Sequence, residues 1–370
     1  MKRIGNLYEK IYDWDNLKEA HRRARKDKTF YKEVKMVDSN PDYYLSQIQE
    51  MLKNETYKVS DYTFSIIRDK GKERELAKLP YYPDRIIQWA IMLQVESVFL
   101  NTFCTHTCSS IPKRGMHRAY DLILRALKDK PNTKYCLKLD VAKFYPSVNH
   151  DILKALLRKK FKDDKLLRLF DNIIDSYPKS VGIPIGSYLS QYLANFYLCY
   201  FDHWLKETKH VKHVVRFADD IVIFGDSKST LHQLMDDIRE YMHDNLSLNV
   251  KANWQVFPTD VRGVDFLGYR FFRNYILLRK STCIRFKRQM RRIRAKQERK
   301  ELISYSEWCS ANSYIGWLKW ANTWRLFTKY ITPITKSLTA YYYVKRYPTT
   351  HQIKRYFNKL NQMKGSVIIC

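Results

Sequence analysis

Two short apolar runs flank a pair of acids: Val214, Val215 and Phe217 precede Asp219-Asp220, and Ile221, Val222, Ile223 and Phe224 follow it. Their β-branched and aromatic content predicts two strands joined by a tight hairpin that the acids cap. Tyr135 to Val141 alternates, with Leu137 and Leu139 on one face and Lys138 and Asp140 on the other, so Asp140 ends a further strand. Tyr62 to Ile67 predicts another strand, which turns at Asp69-Lys70-Gly71-Lys72 toward Arg74 and Leu76 as a hairpin with a basic tip. Val264 to Phe272 predicts one strand around Gly268. Elsewhere the spacing is helical. Pro41 opens a helix through Leu45, Ile48 and Leu52, and Pro83-Asp84 opens a longer one through Ile87, Ile91, Val95 and Phe99, with Asp84 at the positive end of the dipole. Phe144 to Ser147 reads as a turn, followed by helices at Ile152 to Phe161, Tyr192 to Trp204 and Leu231 to Leu246, the last with Asp236, Asp237 and Glu240 read as solvated.

The composition adds a partner. Lys plus Arg total 67 against 38 Asp plus Glu in 370 residues, a formal charge of +29. Such an excess suits a polyanion whose phosphates release counterions on binding, and no run of 18 apolar residues argues for a membrane. The charge concentrates in Leu17 to Lys28, equally readable as a solvated face or an RNA contact, and in Thr282 to Glu301, where nine basic residues oppose two acids. The Trp- and Tyr-rich end beyond it, with Trp308, Tyr314, Trp317, Trp320 and Trp324, reads as helix packing. Seven cysteines form an odd set; Cys104, His106 and Cys108 lack a second ligand pair, so reduced thiols in a cytoplasm are expected rather than zinc. Met1 to Ile11 lacks the apolar core of a signal peptide.

Taken singly, Asp-Asp is an ordinary turn, Asp140 a helix-opening residue and the Arg68/Arg74 tip a solvated loop. Together they make another set. Adjacent carboxylates between apolar strands need a positive partner, and Asp140, Asp219 and Asp220 supply the hard oxygens that two-metal phosphoryl transfer uses. Arg68 and Arg74 flank a tip from which they could close over a triphosphate.

At this point the boxes resemble a known family. Leu-Lys-Leu-Asp-Val-Ala-Lys-Phe-Tyr (137–145), Gly-Ile-Pro-Ile-Gly (182–186), Phe-Ala-Asp-Asp (217–220) and Phe-Leu-Gly-Tyr (266–269) stand in the order of the reverse transcriptase blocks, over roughly Tyr62 to Phe272. The likeness is to the bacterial group II intron-like lineage, with Ser313 to Trp317 similar to its thumb. It implies an α+β right-hand polymerase: helical fingers over 1–134, an antiparallel-sheet palm over 135–278 with interleaved fingers helices at about 151–180, and a basic helical thumb over 279–370. Most members carry a Gln before the second Gly of the fourth block and a Ser-Pro at its end; here Ile185 and Ser190-Gln191 stand there. That pattern resembles the reverse transcriptases of diversity-generating retroelements, which copy a template RNA and misincorporate opposite adenine.

The resemblance also carries residue roles. Asp140 and Asp219 match the metal-binding acids, with the Val141 carbonyl as a further ligand and Asp220 as the assisting acid. Two Mg2+ ions, or Mn2+ in their place, and dNTPs are the implied cofactor and substrates. Tyr145 matches the aromatic gate against a 2′-hydroxyl, Arg68 and Arg74 the triphosphate contacts, and Ala142, Ile185, Gly186 and Gln191 the surroundings of the nucleotide. Lys251 follows Asn249 by two residues where the family's Lys lies one further on, which puts its role as proton donor to pyrophosphate in doubt. The implied partners are a structured template RNA, a cDNA or primer strand and a small basic accessory protein that assembles as a ring. With the chain ending at Cys370, no RNase H, integrase or maturase region is expected. A retron, a group II intron or an antiphage enzyme, or an idle RNA-binding scaffold with a polymerase fold, are the alternatives.

Overall fold

Among the described residues ten strands form, in chain order β1 (Thr63–Asp69), β2 (Lys72–Lys78), β3 (Thr107–Cys108), β4 (Tyr135–Asp140), β5 (His213–Phe217), β6 (Asp220–Gly225), β7 (Gln255–Pro258), β8 (Val264–Phe266), β9 (Tyr269–Phe271) and β10 (Ile276–Leu278). They make three sheets: the β1–β2 hairpin, a five-stranded sheet ordered β3-β5-β6-β4-β7, and a three-stranded sheet ordered β10-β9-β8. With the helices between them the chain is a mixed α+β protein. The computed structural model describes residues 3–69 and 72–339, so Lys70 and Gly71 of the predicted tip and all residues after Thr339 lie outside the described residues. Two units divide the chain, Met1–Phe257 with the hairpin and the five-stranded sheet, and Pro258–Cys370 with the small sheet and the basic helices. Residues 258–278, grouped with the palm by sequence, thus fall in the same unit as the basic helices.

The central strands are buried on both faces. Val214, Val215 and the whole run Ile221 to Phe224 are buried, so the apolar continuity of these strands reflects a sheet covered on two sides rather than an amphipathic one. Helices Met116–Lys128 and Lys228–Leu246 pack against it. Capping residues start the helices where the sequence turns polar. Asn40 accepts from the Tyr43 N–H (3.4 Å) ahead of Pro41–Lys53, and Asn149 from the Ile152 N–H (3.1 Å) ahead of His150–Lys160. Asp163 caps Asp164–Asp175 and also takes the N–H groups of Leu7 and Tyr8 (2.7 and 2.9 Å), which fastens the N-terminal segment to the core. Each such cap contributes about 1 kcal/mol. Among the described residues no helix is long and apolar enough to cross a membrane.

Several expected elements differ in detail. Val264 to Phe272 is two strands, because Leu267 and Gly268 both take positive φ and reverse the chain, and the short β10 completes that sheet. The long helix Ile86–Thr102 runs on directly from the helical turn Tyr81–Arg85, in which Tyr82 alone is extended, so the chain enters it at Pro83-Asp84 as expected. Asp84 stands at that start but is fully buried, accepting from the Tyr57 hydroxyl (2.7 Å) and the Ser60 N–H (3.1 Å). Tyr192 to Trp204 begins earlier and breaks, into Tyr188–Tyr197 and Cys199–His203. Phe144–Ser147 is one helical turn entered from Lys143 at φ +43°. Asp237 is not merely solvated, since it is paired with Lys209 at 2.7 Å. His21, from the N-terminal run read as a charged surface, is buried between Asp38 and the Tyr81 hydroxyl.

Candidate active site

The β4–β6 register sets Asp140 opposite Asp220, and the β5–β6 register sets Phe217 opposite the same residue. Ala218 and Asp219 are therefore the whole turn, with Ala218 in the left-handed region at φ +55°. The Asp219 carbonyl accepts the Val141 N–H (3.1 Å). On the opposite edge of residues 140–142 runs the segment 249–251: Ala142 donates to the Asn249 carbonyl (2.7 Å) and Lys251 to the Asp140 carbonyl (2.9 Å). Neighbouring residues of an extended chain direct their backbone groups to alternate edges. The Val141 carbonyl accordingly emerges on the Asp219 edge with its N–H.

Two carboxylates meet there under one cation. Burial, with the Asp140 carboxylate beside it, pushes the Asp219 carboxyl above its ordinary range. Lys251 donates its ammonium to Asp140 Oδ1 at 2.5 Å, despite the displaced spacing in the sequence. Asp220 shares the sheet face of Lys138, whose Nζ stands 3.9 Å away. Among the described residues no three His, Cys, Asp or Glu side chains group as a metal site. The donors that do converge are two carboxylates and a carbonyl edge. Such oxygens fit Mg2+ or Mn2+, and a dication would relieve the repulsion that raises Asp219.

Tyr145 belongs to the same cluster. Burial and the charge of Asp219 push its hydroxyl up to about 12. Its carbonyl accepts the Ile183 N–H (3.0 Å), and the Val148 carbonyl accepts the Gly182 N–H (2.7 Å), so the Gly-Ile-Pro-Ile-Gly loop is laced to the turn after β4. Gly182 needs its φ of +101°, and a Cβ there would lie 3.1 Å from the Pro146 carbonyl oxygen. His150 Nε2 holds the Gly182 carbonyl from the other side at 2.7 Å. Beyond Ile185, a Cβ on Gly186 would stand 3.8 Å from the Ala77 carbonyl, which brings β2 beside this loop. Ser187 caps the next helix and donates to Gln88 (2.6 Å), with Gln191 half-buried in its first turn.

The register separates the two arginines. Arg68 is opposite Glu73 and bonded to it at 3.0 Å, whereas Arg74 is opposite Ile67. Cross-strand partners share a face and neighbours alternate, so the two guanidiniums leave opposite faces of the ribbon.

Sequence reasoning gave no role to Arg216, the residue just before the Phe-Ala-Asp-Asp box. Its side chain is fully buried, bidentate to the equally buried Asp202 at 2.7 and 2.5 Å, and it donates to the Ala218 carbonyl at 3.0 Å. The available signal was an arginine inside an otherwise apolar strand, which needs a partner wherever the strand is buried. Near it, burial pushes the thiol of Cys104 up to about 12 and that of Cys108 up to about 11.

Comparison with known proteins agrees with these boxes. Residues 65–271 match the family described as reverse transcriptase (RNA-dependent DNA polymerase). The chain is 24% identical over 250 residues to Protein YkfC of Escherichia coli strain K12, covering 56% of this chain and 65% of that protein. It is 26% identical over 174 residues to the group II intron-encoded protein LtrA of Lactococcus lactis subsp. cremoris, covering 45% and 28%. A putative COX1/OXI3 intron 2 protein of Saccharomyces cerevisiae is 21% identical over 253 residues, covering 50% and 29%. The chain thus spans less than two thirds of each of these relatives. Among solved structures, telomerase from Candida albicans in complex with a fragment of telomeric RNA aligns at TM-score 0.46 and 10% identity, over 88% of this chain and 71% of that one. Since the family match extends over more than half of the sequence and contains every acid of the cluster, the chain belongs to the reverse transcriptase family.

Proposed function

We propose that the chain synthesises DNA on an RNA template, with Asp140 and Asp219 as the metal-binding acids. The observation that carries this reading is the meeting of those two carboxylates with the Val141 carbonyl edge at the ends of β4 and the β5–β6 hairpin. Asp140, Asp219 and the Val141 carbonyl would hold a divalent metal, which when bound would supply the Lewis acidity for an attacking 3′-hydroxyl and a departing pyrophosphate. Asp220 supports the pair from the adjacent strand position. Lys251 neutralises Asp140 and would, in this reading, give a proton to the departing pyrophosphate. Tyr145, beside Asp219, screens the sugar at C2′. Arg68 or Arg74 supplies charge for the triphosphate, and Ala142, Ile185, Gly186 and Gln191 line the nucleotide's surroundings. Fingers, palm and thumb over 1–134, 135–278 and 279–370 complete the reading.

Primer extension on RNA tests it. Asp219→Ala should lower dNTP incorporation by about 10³-fold or more while RNA affinity stays within twofold, since the acid serves the metal and not the phosphate grip. Near-wild-type synthesis by that variant would defeat the assignment. The Ile185 and Ser190-Gln191 departures favour the diversity-generating class, error-prone at template adenine, with a small basic ring-forming accessory protein as partner and a cytoplasmic setting. A genomic template repeat that differs from a variable repeat at adenines alone would support the subclass; its absence, with faithful copying of adenine, would favour an intron-type enzyme.

A further inference from the structure

We infer that Arg216 is a positioning residue: it fixes the Ala218-Asp219 peptide so that the Asp219 carboxylate stays at metal-sharing distance from Asp140. The inference rests on the metal-site reading above. Arg216 uses all three guanidinium nitrogens. Nε and one terminal nitrogen grip Asp202 (2.7 and 2.5 Å), and the terminal nitrogens also reach Asn195 Oδ1 (3.2 Å), the Asn195 carbonyl (3.4 Å) and the Ala218 carbonyl (3.0 Å). Asp202 is itself tied to the Thr107 hydroxyl at 2.6 Å. The backbone of β3 completes the frame, since Arg216 donates its N–H to the His106 carbonyl (3.1 Å) and Ala218 donates to that of Cys108 (3.3 Å).

Both peptide groups of Ala218 are thus held, one by β3 and the other by a buried cation. That matters at this residue. Ala218 is left-handed, a conformation an L-residue leaves unless its surroundings hold it there, and the next residue is Asp219. Rotation of the Ala218-Asp219 peptide would swing the carboxylate away from Asp140. Burial of Asp202 opposes its ionisation, but the Arg216 guanidinium outweighs this and keeps the carboxyl well below the usual range, so the clamp is a true ion pair. A buried ion pair is weak evidence for stability, because well-packed apolar residues often replace one without loss. Such a replacement could not reach the Ala218 carbonyl. The contact with the turn, rather than the pair itself, is the specific contribution of arginine.

The experiment therefore separates the pair from its reach. In the full chain, the double variant Asp202→Leu/Arg216→Met removes both charges, and Arg216→Lys keeps the pair with Asp202 but loses the fork. Three quantities are read: melting temperature, Mn2+ binding by electron paramagnetic resonance without nucleic acid, and amide exchange of the 214–222 peptide without metal. For folded variants we expect half-saturating Mn2+ to rise at least tenfold in the double variant and severalfold in Arg216→Lys. Faster exchange of 214–222 should accompany the rise. Primer extension should lose kcat about thirtyfold with the KM for dNTP within twofold. Unchanged Mn2+ affinity and exchange in either folded variant would overturn the positioning role; a double variant that does not fold leaves Arg216→Lys to decide. Asp140→Asn serves as control: if it leaves Mn2+ binding intact, the metal-site reading is what fails, and if the wild type binds Mn2+ at this pair yet extends no primer, the polymerase reading fails while the clamp is still judged by affinity and exchange.

Discussion

The first unit contains the hairpins β1–β2 and β5–β6, both antiparallel. Their surroundings differ completely. Along β5–β6 the side chains are buried on both faces and a guanidinium pins the turn from beneath. Along β1–β2, Phe64, Ile66 and Ile67 are exposed, and its charged side chains project from both faces. A hairpin that sets the Asp219 carboxylate beside that of Asp140 needs a frame that resists their repulsion. The triphosphate role proposed for β1–β2 asks less of its backbone, since long side chains would do the work and the ribbon can remain at the surface.

The sharpest way to break this comparison is to truncate an isoleucine in each. Ile221 is 0% exposed and Ile66 69% exposed. Ile221→Ala should cost about 2–5 kcal/mol through lost burial and the cavity left behind, whereas Ile66→Ala should fall within about 0.5 kcal/mol of wild type. Urea denaturation of both proteins measures the difference. Comparable losses would mean that β1–β2 is buried in solution and that the contrast is mistaken.

A second test concerns the arginines of the exposed hairpin. Because Arg68 is engaged by Glu73 and faces away from Arg74, the two cannot contribute equally to one triphosphate. Arg74→Ala should raise the KM for dNTP by about tenfold, the worth of one charge-assisted hydrogen bond. The loss with Arg68→Ala should be less than half of that. Equal effects in steady-state kinetics would require the ribbon to twist on binding enough to bring both to one face.

Sequence reading was strongest where a residue's neighbours along the chain also set its environment. Alternation located β4 and put Asp140 at its end, and the composition of residues 214–224 gave the acid hairpin. It was weakest where distant segments decide. The Val264 to Phe272 run carries no Asn-Gly or Asp-Gly signal, so the reversal at Leu267-Gly268 was invisible in a stretch that is strand-like on both sides. Asp84 was legible as a helix-start residue, but its burial and its bonds to Tyr57 and Ser60 come from a segment more than twenty residues away. The separation of Arg68 from Arg74 needed the register, which a six-residue spacing does not give. The Arg216 clamp needed Asp202 from a helix, and nothing in local propensity reports that pairing.

The buried hairpin also carries a cost that pH exposes. Asp219 has a raised folded pKa, so the metal-free protein loses stability as pH rises from the ordinary Asp range through that raised value, where the unfolded chain is ionised and the folded site resists it. Asp219→Asn removes the penalty. In EDTA at pH 7 it should melt above wild type, with the gap closing as the pH falls toward the ordinary Asp range, while abolishing synthesis. A variant that melts lower than wild type at neutral pH would show that the carboxylate is stabilised by its surroundings and that the acid pair is not strained.

The smallest expected effect lies in the loop between the two hairpins, at Ile185. The loop is tied to Tyr145 through Ile183 and stands beside β2 through Gly186, so residue 185 belongs to a segment that touches both the turn after β4 and the exposed ribbon. A polar amide at that position can hold a nucleotide and its neighbours by hydrogen bonds, which are lost when a pair is misaligned, whereas a branched alkyl group only fills volume. Hydrogen-bonded sites discriminate more strongly than apolar fit. Ile185→Gln should therefore reduce misincorporation opposite template adenine more than it reduces total synthesis. Sequencing cDNA from both enzymes on the same adenine-rich RNA, with balanced dNTPs, measures the change. An unaltered adenine error spectrum at preserved synthesis would remove Ile185 from fidelity and leave the framed hairpin, rather than the loop facing it, as the place to seek the determinant.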